Sequence, residues 1–264
     1  MKLNINGTEY EVNNTLSELK NQFNADVTII NGFQTDEDIE LKSGDNLVFI
    51  QKGKMPDRNQ FEAMLSARHT PKLYEKFKSV SVGVAGLGGL GSNIAVMLAQ
   101  SGIGKLVIAD FDMVEPSNLN RQHYSISHLG MTKAEAVKQQ IADINPYVEV
   151  ISYNVRIDIS NASDIFGGCD ILCEAFDNPA NKAMLISAML SECPNIKVVS
   201  GSGMAGIESS NTIITKRRFK NLYICGDGET EAKMGRGLMA PRVAICAGHQ
   251  ANMVLRLASG EVNP

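Results

Sequence analysis

The stretch "GVAGLGGLGSNIAVMLAQSGIG", Gly83 to Gly104, constrains this chain more than any other. An apolar strand runs into a glycine loop and out into a helix. Gly86, Gly88 and Gly91, with Gly89 among them, fit G-x-G-x-x-G at that junction. Glycines let the backbone turn tightly and approach phosphates, whose charge then rests on a helix N-terminus. Asp110 ends the next strand, at the roughly 20-residue distance where a carboxylate meets ribose hydroxyls. Loop and acid together predict an adenosine nucleotide without specifying which, and the fingerprint alone favours NAD over ATP.

The surrounding pattern predicts the fold. "VSVGVA", "KLVIAD", "VEVISY", "CDILCEA" and "IKVVSG" read as strands. Between them lie "SNIAVMLAQ", "TKAEAVKQQIADI" and a stretch from about Pro179 to Leu190, capped by Asn178, which read as helices. That alternation predicts an α/β domain over residues 79–264, a doubly wound, Rossmann-like, mostly parallel sheet. A final helix from about Pro241 to Leu257, with Gly260 just beyond, is apolar on most sides and expected to be buried.

Residues 1–53 read as a separate unit: two strands joined by "GT", a helix with Thr15 as cap, then the strands "VTII" and "NLVFIQ". Strand, strand, helix, strand, strand is the order of a small β-grasp domain of the ubiquitin kind. Residues 54–78, charged and interrupted by Pro56 and Pro71, predict a linker with two short helices.

A chain of 264 residues, 44% hydrophobic, has room for one large core and one small one. Its net charge of -4 offers no general attraction to nucleic acid or to an anionic membrane. No apolar run approaches ~18 residues and the N-terminus alternates, so a cytoplasmic chain is expected. The five cysteines contain no Cys-x-x-Cys pair, which argues against a disulfide framework and a paired-thiolate zinc site.

The residues downstream of the glycine loop favour ATP. "DFDMVEPSNLNRQHY" brings Asp112, Asn118, Arg121 and Gln122 directly after Asp110, Lys133 opens a helix, and Asp177 in "EAFDNPANK" comes after a strand. Backbone N–H groups suffice to hold a dinucleotide's diphosphate, whereas release of pyrophosphate needs cations against growing charge. Arg121 offers a fork of donors, Lys133 a compact charge, and Asp177 a ligand for phosphate-bridging Mg²⁺. Each alone is a common surface or capping residue; their order distinguishes them.

Through "GLGGLGS", "DFDMVEPSNLNRQ", "LGMTKAEA", "INP", "FDNPANK" and "GLMAPRVAICAGHQANMVLRLASG", the region Val80 to Gly260 resembles the adenylyltransferases related to ubiquitin-activating enzymes, the ThiF, MoeB and HesA family. The first domain, notably "ELKSGDNLVFIQKG", is similar to the sulfur carrier ThiS, so the pairing resembles the branch serving thiamine thiazole biosynthesis. The resemblance implies that the glycine loop and Asp110 bind adenosine and ribose. It implies phosphate contacts from Arg121 and Lys133, Mg²⁺ on Asp177, and polar contacts from Asp112, Asn118 and Gln122. It also implies a homodimer in which an N-terminal arginine, best matched by Arg68, enters the partner's site. The implied partners are a separate ThiS-like carrier ending in Gly-Gly and a sulfur donor protein.

The chain departs from this pattern in two ways. Many relatives carry two Cys-x-x-Cys pairs around a structural zinc; this chain has neither, and no zinc is expected. Sulfur-passing relatives use a loop cysteine, and Cys225 in "YICGDGETE" is the candidate, competent only if its pKa is lowered. Cys246 reads as core. The front domain has no free Gly-Gly end, since Gly53 is joined to Lys54, so docking, dimerisation, regulation or plain stabilisation remain its readings. Adenylation of another carrier or a small carboxylate, an NAD-dependent oxidoreductase and a non-catalytic nucleotide-binding scaffold are the alternatives.

Overall fold

The structure is a computed structural model that describes residues 1–69 and 71–264, the side chains of residues 68, 69 and 71 excepted. The arginine expected to reach a partner's site, Arg68, therefore has its side chain outside the described residues. The chain divides into two compact units, Met1–Glu75 and Lys76–Pro264.

The first unit contains β1 (Lys2–Ile5), β2 (Thr8–Glu11), α1 (Leu16–Gln22), β3 (Val27–Ile30), β4 (Phe33–Gln34), β5 (Asn46–Ile50) and α2 (Arg58–His69). Its sheet runs β2-β1-β5-β3-β4, with β1 parallel to β5. The first hairpin turns at Asn6–Gly7, one residue before the expected "GT". Both residues have positive φ, 50° and 82°, the conformation that two-residue hairpins favour. Asn6 also exchanges two hydrogen bonds with the Phe49 backbone, at 2.8 and 3.2 Å. Asn31–Gly32 makes a second such turn into β4, a strand too short to show periodicity in the sequence. Thr15 caps α1 in a reciprocal box with Glu18. Leu3, Ile5, Leu16, Leu19, Ile30, Leu41, Leu47 and Phe49 fill one face of the sheet. On the other face Ala67 and Met64 of α2, expected within a linker, pack on Ile29 and Val48.

α3 (Pro71–Lys78) leads to the second unit. Beyond it come β6 (Ser81–Ala85), α4 (Gly89–Gln100), β7 (Lys105–Ala109), α5 (Lys133–Ile144), β8 (Glu149–Tyr153), α6 (Ala162–Phe166), β9 (Ile171–Glu174), α7 (Pro179–Glu192), β10 (Lys197–Gly201), β11 (Ile214–Phe219), β12 (Leu222–Gly226) and α8 (Ala240–Ser259). The sheet order is β11-β12-β10-β9-β6-β7-β8. Every pairing is parallel except β11 with β12. From β6 the chain builds outward through β7 and β8, then crosses to β9 on the other side. The switch point between β6 and β9 is where such sheets leave a crevice beyond their carboxyl ends. α8 is buried along Val243, Cys246, Ala247, Gln250, Val254 and Leu257, packs against α4, and ends at Gly260 with φ 97°. Among the described residues no helix is long and apolar enough to cross a membrane.

Candidate functional site

At the switch point lies a cleft of about 690 Å³. Gly86, at the end of β6, has φ +87° and donates its N–H to Ala109 O at 2.9 Å. Gly86, Gly88 and Gly89 line the cleft. Gly91 serves packing instead. A Cβ there would lie 1.8 Å from Gly86 O, so its missing side chain lets helix and loop close together. Gly88 caps α4 without a side-chain hydrogen bond, which leaves the first N–H groups of the helix for an anion in the cleft.

Asp110, 8% exposed, accepts from Leu87 N at 2.6 Å and Asp112 N at 2.8 Å, one bond on each oxygen. Burial pushes its pKa up, against those two N–H groups and the Lys133 charge. Each oxygen keeps a lone pair for a hydroxyl. The Tyr124 hydroxyl donates to Leu87 O at 2.7 Å and braces the same loop.

The loop between β7 and α5 supplies one wall. Asn118 is buried and accepts from Glu115 N at 3.1 Å, fixing a tight turn. Arg121 anchors one guanidinium nitrogen on Ser117 O at 3.1 Å and Asn120 Oδ1 at 2.9 Å. Its Nε, and Gln122 Oε1, are buried with no hydrogen-bond partner among the described residues. Lys133 is the first residue of α5, capped by Thr132, and its ammonium meets Asp112 Oδ2 at 2.8 Å. The lysine side chain is 8% exposed and the aspartate 48%, so Asp112 holds Lys133 from the solvent side. Asp177, beyond β9, is exposed and makes no ion pair among the described residues. The cleft thus brings together Gly86, Gly88, Gly89, Asp110, Asp112, Asn118, Arg121, Gln122, Lys133 and Asp177.

Cys225 is placed otherwise than expected. It lies in β12, a strand not evident in the sequence, fully buried and beside Thr215 Oγ1 at 3.4 Å. Burial pushes its thiol up to about 11, the reverse of the activation a nucleophile needs. β12 pairs on both sides and has buried residues on both faces, and the loop that begins at Asp227 follows it. That loop is fastened by Arg242, which donates to Glu208 O at 2.8 Å, Ser209 O at 2.7 Å and Asp227. Burial alone would raise the Asp227 pKa, but bonds from Thr230, Glu229 and Arg242 outweigh it and hold it at about 2.

Other cleft features are silent in the sequence. Arg156 lies over the Phe111 ring, 5.7 Å from its centroid, beside Val155 and Ile157. Lys182 lines the cleft with its ammonium on Glu174, a fully buried carboxylate. The one hint is a lysine five residues after Asp177 and an acid ending an apolar strand. Among the described residues no three His, Cys, Asp or Glu side chains gather as a metal site. A lone carboxylate such as Asp177 suits Mg²⁺, which takes most of its oxygens from phosphates and water. The donor set suits a nucleotide polyphosphate: unspent helix N–H groups, an unpartnered Arg121 Nε and a carboxylate with free lone pairs.

Residues 62–264 match the family model described as the ThiF family, and residues 1–53 match the one described as ThiS-like ubiquitin. The chain is 34% identical over 193 residues to adenylyltransferase and sulfurtransferase UBA4 of Saccharomyces cerevisiae, covering 70% of this chain and 43% of that protein. The Candida glabrata protein of the same name is 32% identical over 206 residues, covering 72% and 47%. The chain thus spans less than half the length of these relatives. Among solved structures, Escherichia coli tRNA N6-threonylcarbamoyladenosine dehydratase, TcdA, in complex with ATP superposes with a TM-score of 0.69 at 21% identity, over 78% of this chain and 97% of that one. E. coli MccB with ATP gives 0.57 at 23% identity, over 81% and 66%. These structural likenesses establish the fold.

Proposed function

This chain belongs to the ThiF family, and on that premise we propose that it adenylates the C-terminal glycine carboxylate of a separate β-grasp sulfur carrier. The observation that supports it most is the meeting of the glycine loop, Asp110, Arg121, Lys133 and Asp177 in one cleft. In the proposed reaction a carboxylate oxygen bonds to the α-phosphorus of ATP. The bond from that phosphorus to the bridging oxygen breaks, and the electron pair leaves with pyrophosphate. No general base is required, because a carboxylate is already ionised at pH 7. Catalysis then rests on positioning and on charge stabilisation.

Asp110 would accept from the ribose hydroxyls, the open N-terminus of α4 and Arg121 would take phosphate oxygens, and Lys133 would add further positive charge. Mg²⁺, when bound at Asp177, would supply further neutralisation of the phosphates. The front domain is not the substrate in this reading: Gly53 continues into Lys54, whose N–H closes a turn on Gln51 O at 3.3 Å. Its ThiS-like character favours ThiS as the separate carrier, and thiamine thiazole synthesis as the setting.

The test is ATP–pyrophosphate exchange with Mg²⁺ and a ThiS-like carrier ending in Gly-Gly, against the same carrier lacking its last glycine. Exchange with the intact carrier alone is the expected result. Absence of exchange with any Gly-Gly carrier would turn the reading toward a small carboxylate or a scaffold.

A further inference from the structure

A second lysine stands in the cleft on a foundation unlike that of Lys133. Glu174, the last residue of β9, is 0% exposed. Its Oε1 accepts from Phe176 N at 2.7 Å. Its Oε2 accepts from Ser200 Oγ of β10 at 2.5 Å and from the Lys182 ammonium. A carboxylate removed from water is costly unless paired and hydrogen-bonded, and an apolar side chain would serve a strand interior at lower cost. The partner it retains is no core residue: the Lys182 side chain is 21% exposed and lines the cleft.

A lysine carries three N–H donors on a flexible four-carbon stem. Glu174 takes one, and Ser200 Oγ stands at 3.4 Å for a second, so one donor remains for the cleft. Anchoring from beneath keeps the ammonium from swinging into solvent.

The sheet order fixes what it meets. Asp110 lies after β7 and the glycine loop after β6, so a nucleotide with its ribose on the first and its phosphates on the second fills that half. Lys182 and its anchors stand beyond the loop, at the ends of β9 and β10. Farther on lie Gly201, Ser202 and Gly203 after β10, and Gly228 after β12. Lys182 is therefore across the glycine loop from Asp110, in the half of the cleft that the nucleoside leaves open, where it would meet a carboxylate approaching the α-phosphorus opposite the bond to pyrophosphate.

We propose that Lys182 receives the incoming carboxylate, with Glu174 and Ser200 as its positioning residues; this rests on the adenylation reading of the cleft. Two anions, carboxylate and triphosphate, must approach each other, and the fixed ammonium offsets their repulsion. In that step the carboxylate–phosphorus bond forms, the bond to pyrophosphate breaks, and no proton moves.

The experiment is a binding cycle with the full chain and a non-hydrolysable ATP analogue, using a ThiS-like carrier ending in a Gly-Gly carboxylate and the same carrier ending in a carboxamide. Wild type should prefer the carboxylate by about 10- to 100-fold, the range of a charge-assisted hydrogen bond. Lys182→Ala should abolish that preference and leave affinity for the ATP analogue within about two-fold. Glu174→Gln and Ser200→Ala keep the lysine but loosen its anchor, and should lose part of the preference. A preference that survives Lys182→Ala, or a loss of nucleotide affinity in its place, overturns the proposal. A wild-type chain that binds neither carrier form removes the adenylation reading itself, an outcome distinct from either. Should Glu174→Gln fail to fold, Ser200→Ala and Lys182→Ala carry the test.

Discussion

At the scale of single residues, the same side-chain chemistry takes different roles according to its neighbours. Lys133 and Lys182 are both cleft lysines, but one is paired with a half-exposed aspartate and the other with a fully buried glutamate. Lys133→Ala leaves Asp112 free to be rehydrated, so the fold should survive. Asp177→Asn changes an exposed side chain and should be equally benign to folding. Each variant is expected to lower the rate of pyrophosphate exchange by about 10²- to 10³-fold with an unchanged circular dichroism spectrum; near-normal turnover by either would sink that residue's assigned role. The cysteines make the opposite point. Burial lifts the thiols of Cys169 and Cys225 to about 11 and that of Cys246 to about 12, so all three are protonated at pH 8. Iodoacetamide at pH 8 should therefore leave Cys225 unmodified in the native protein and label it after unfolding. A raised native pKa stabilises the fold below the unfolded thiol's value of about 8.5, and that contribution is lost as pH climbs toward about 11. Fast native labelling of Cys225 would restore it as a candidate nucleophile.

At the scale of elements, the site depends on helix ends. α4 presents its N-terminus to the cleft without a side-chain cap, α5 starts with the cleft residue Lys133, and α7 carries Lys182 in its first turn. α7 is held at its start by Asn178, whose Oδ1 accepts from Ala180 N at 2.9 Å and Asn181 N at 3.1 Å, with Pro179 at the first helical position. Asn178→Ala should destabilise the chain by ~1 kcal/mol, and fraying of that turn should weaken the anchoring of Lys182. Denaturant titration checks the first part; an unchanged midpoint would show that tertiary packing, and not the cap, sets the helix start. These helices are legible from caps and periodicity, as is the strand–loop–helix unit around Gly86. β11 and β12 are not. β11 is exposed along most of its length and charged at Lys216, Arg217 and Arg218, a composition that signals a solvated loop unless pairing is known. Without those strands Cys225 reads as a loop residue, because its burial comes from a strand paired on both sides.

At the scale of the molecule, each of the two units has its own sheet and core. A boundary at the end of the ThiS-like match, residue 53, would strip α2 from the first sheet and expose Ile29 and Val48, now 1% and 0% accessible. Burying such side chains contributes ~1.5–3 kcal/mol each. A fragment of residues 1–75 should accordingly unfold at higher denaturant than one of residues 1–53; coincident unfolding curves would mean that α2 adds nothing to that unit. Among the described residues, every one that lines the cleft belongs to the second unit, residues 76–264.

The sequence by itself determined the class of the fold and the residues that line one half of the cleft, because both rest on local rules. Gly86, Gly88 and Asp110 are fixed by the geometry of one strand, one turn and the next strand. Only the tertiary structure decided the other half. Glu174, Lys182 and Ser200 sit on two strands and a helix, and nothing in their spacing shows that they converge. Convergence is a matter of which strands lie side by side, and the crossing from β8 to β9, which lands beside β6, is set by packing across the whole sheet. The same holds for Cys225: a cysteine near glycines and acids reads as reactive, and burial in a paired strand, which raises the cost of its thiolate, is visible only when the chain is folded.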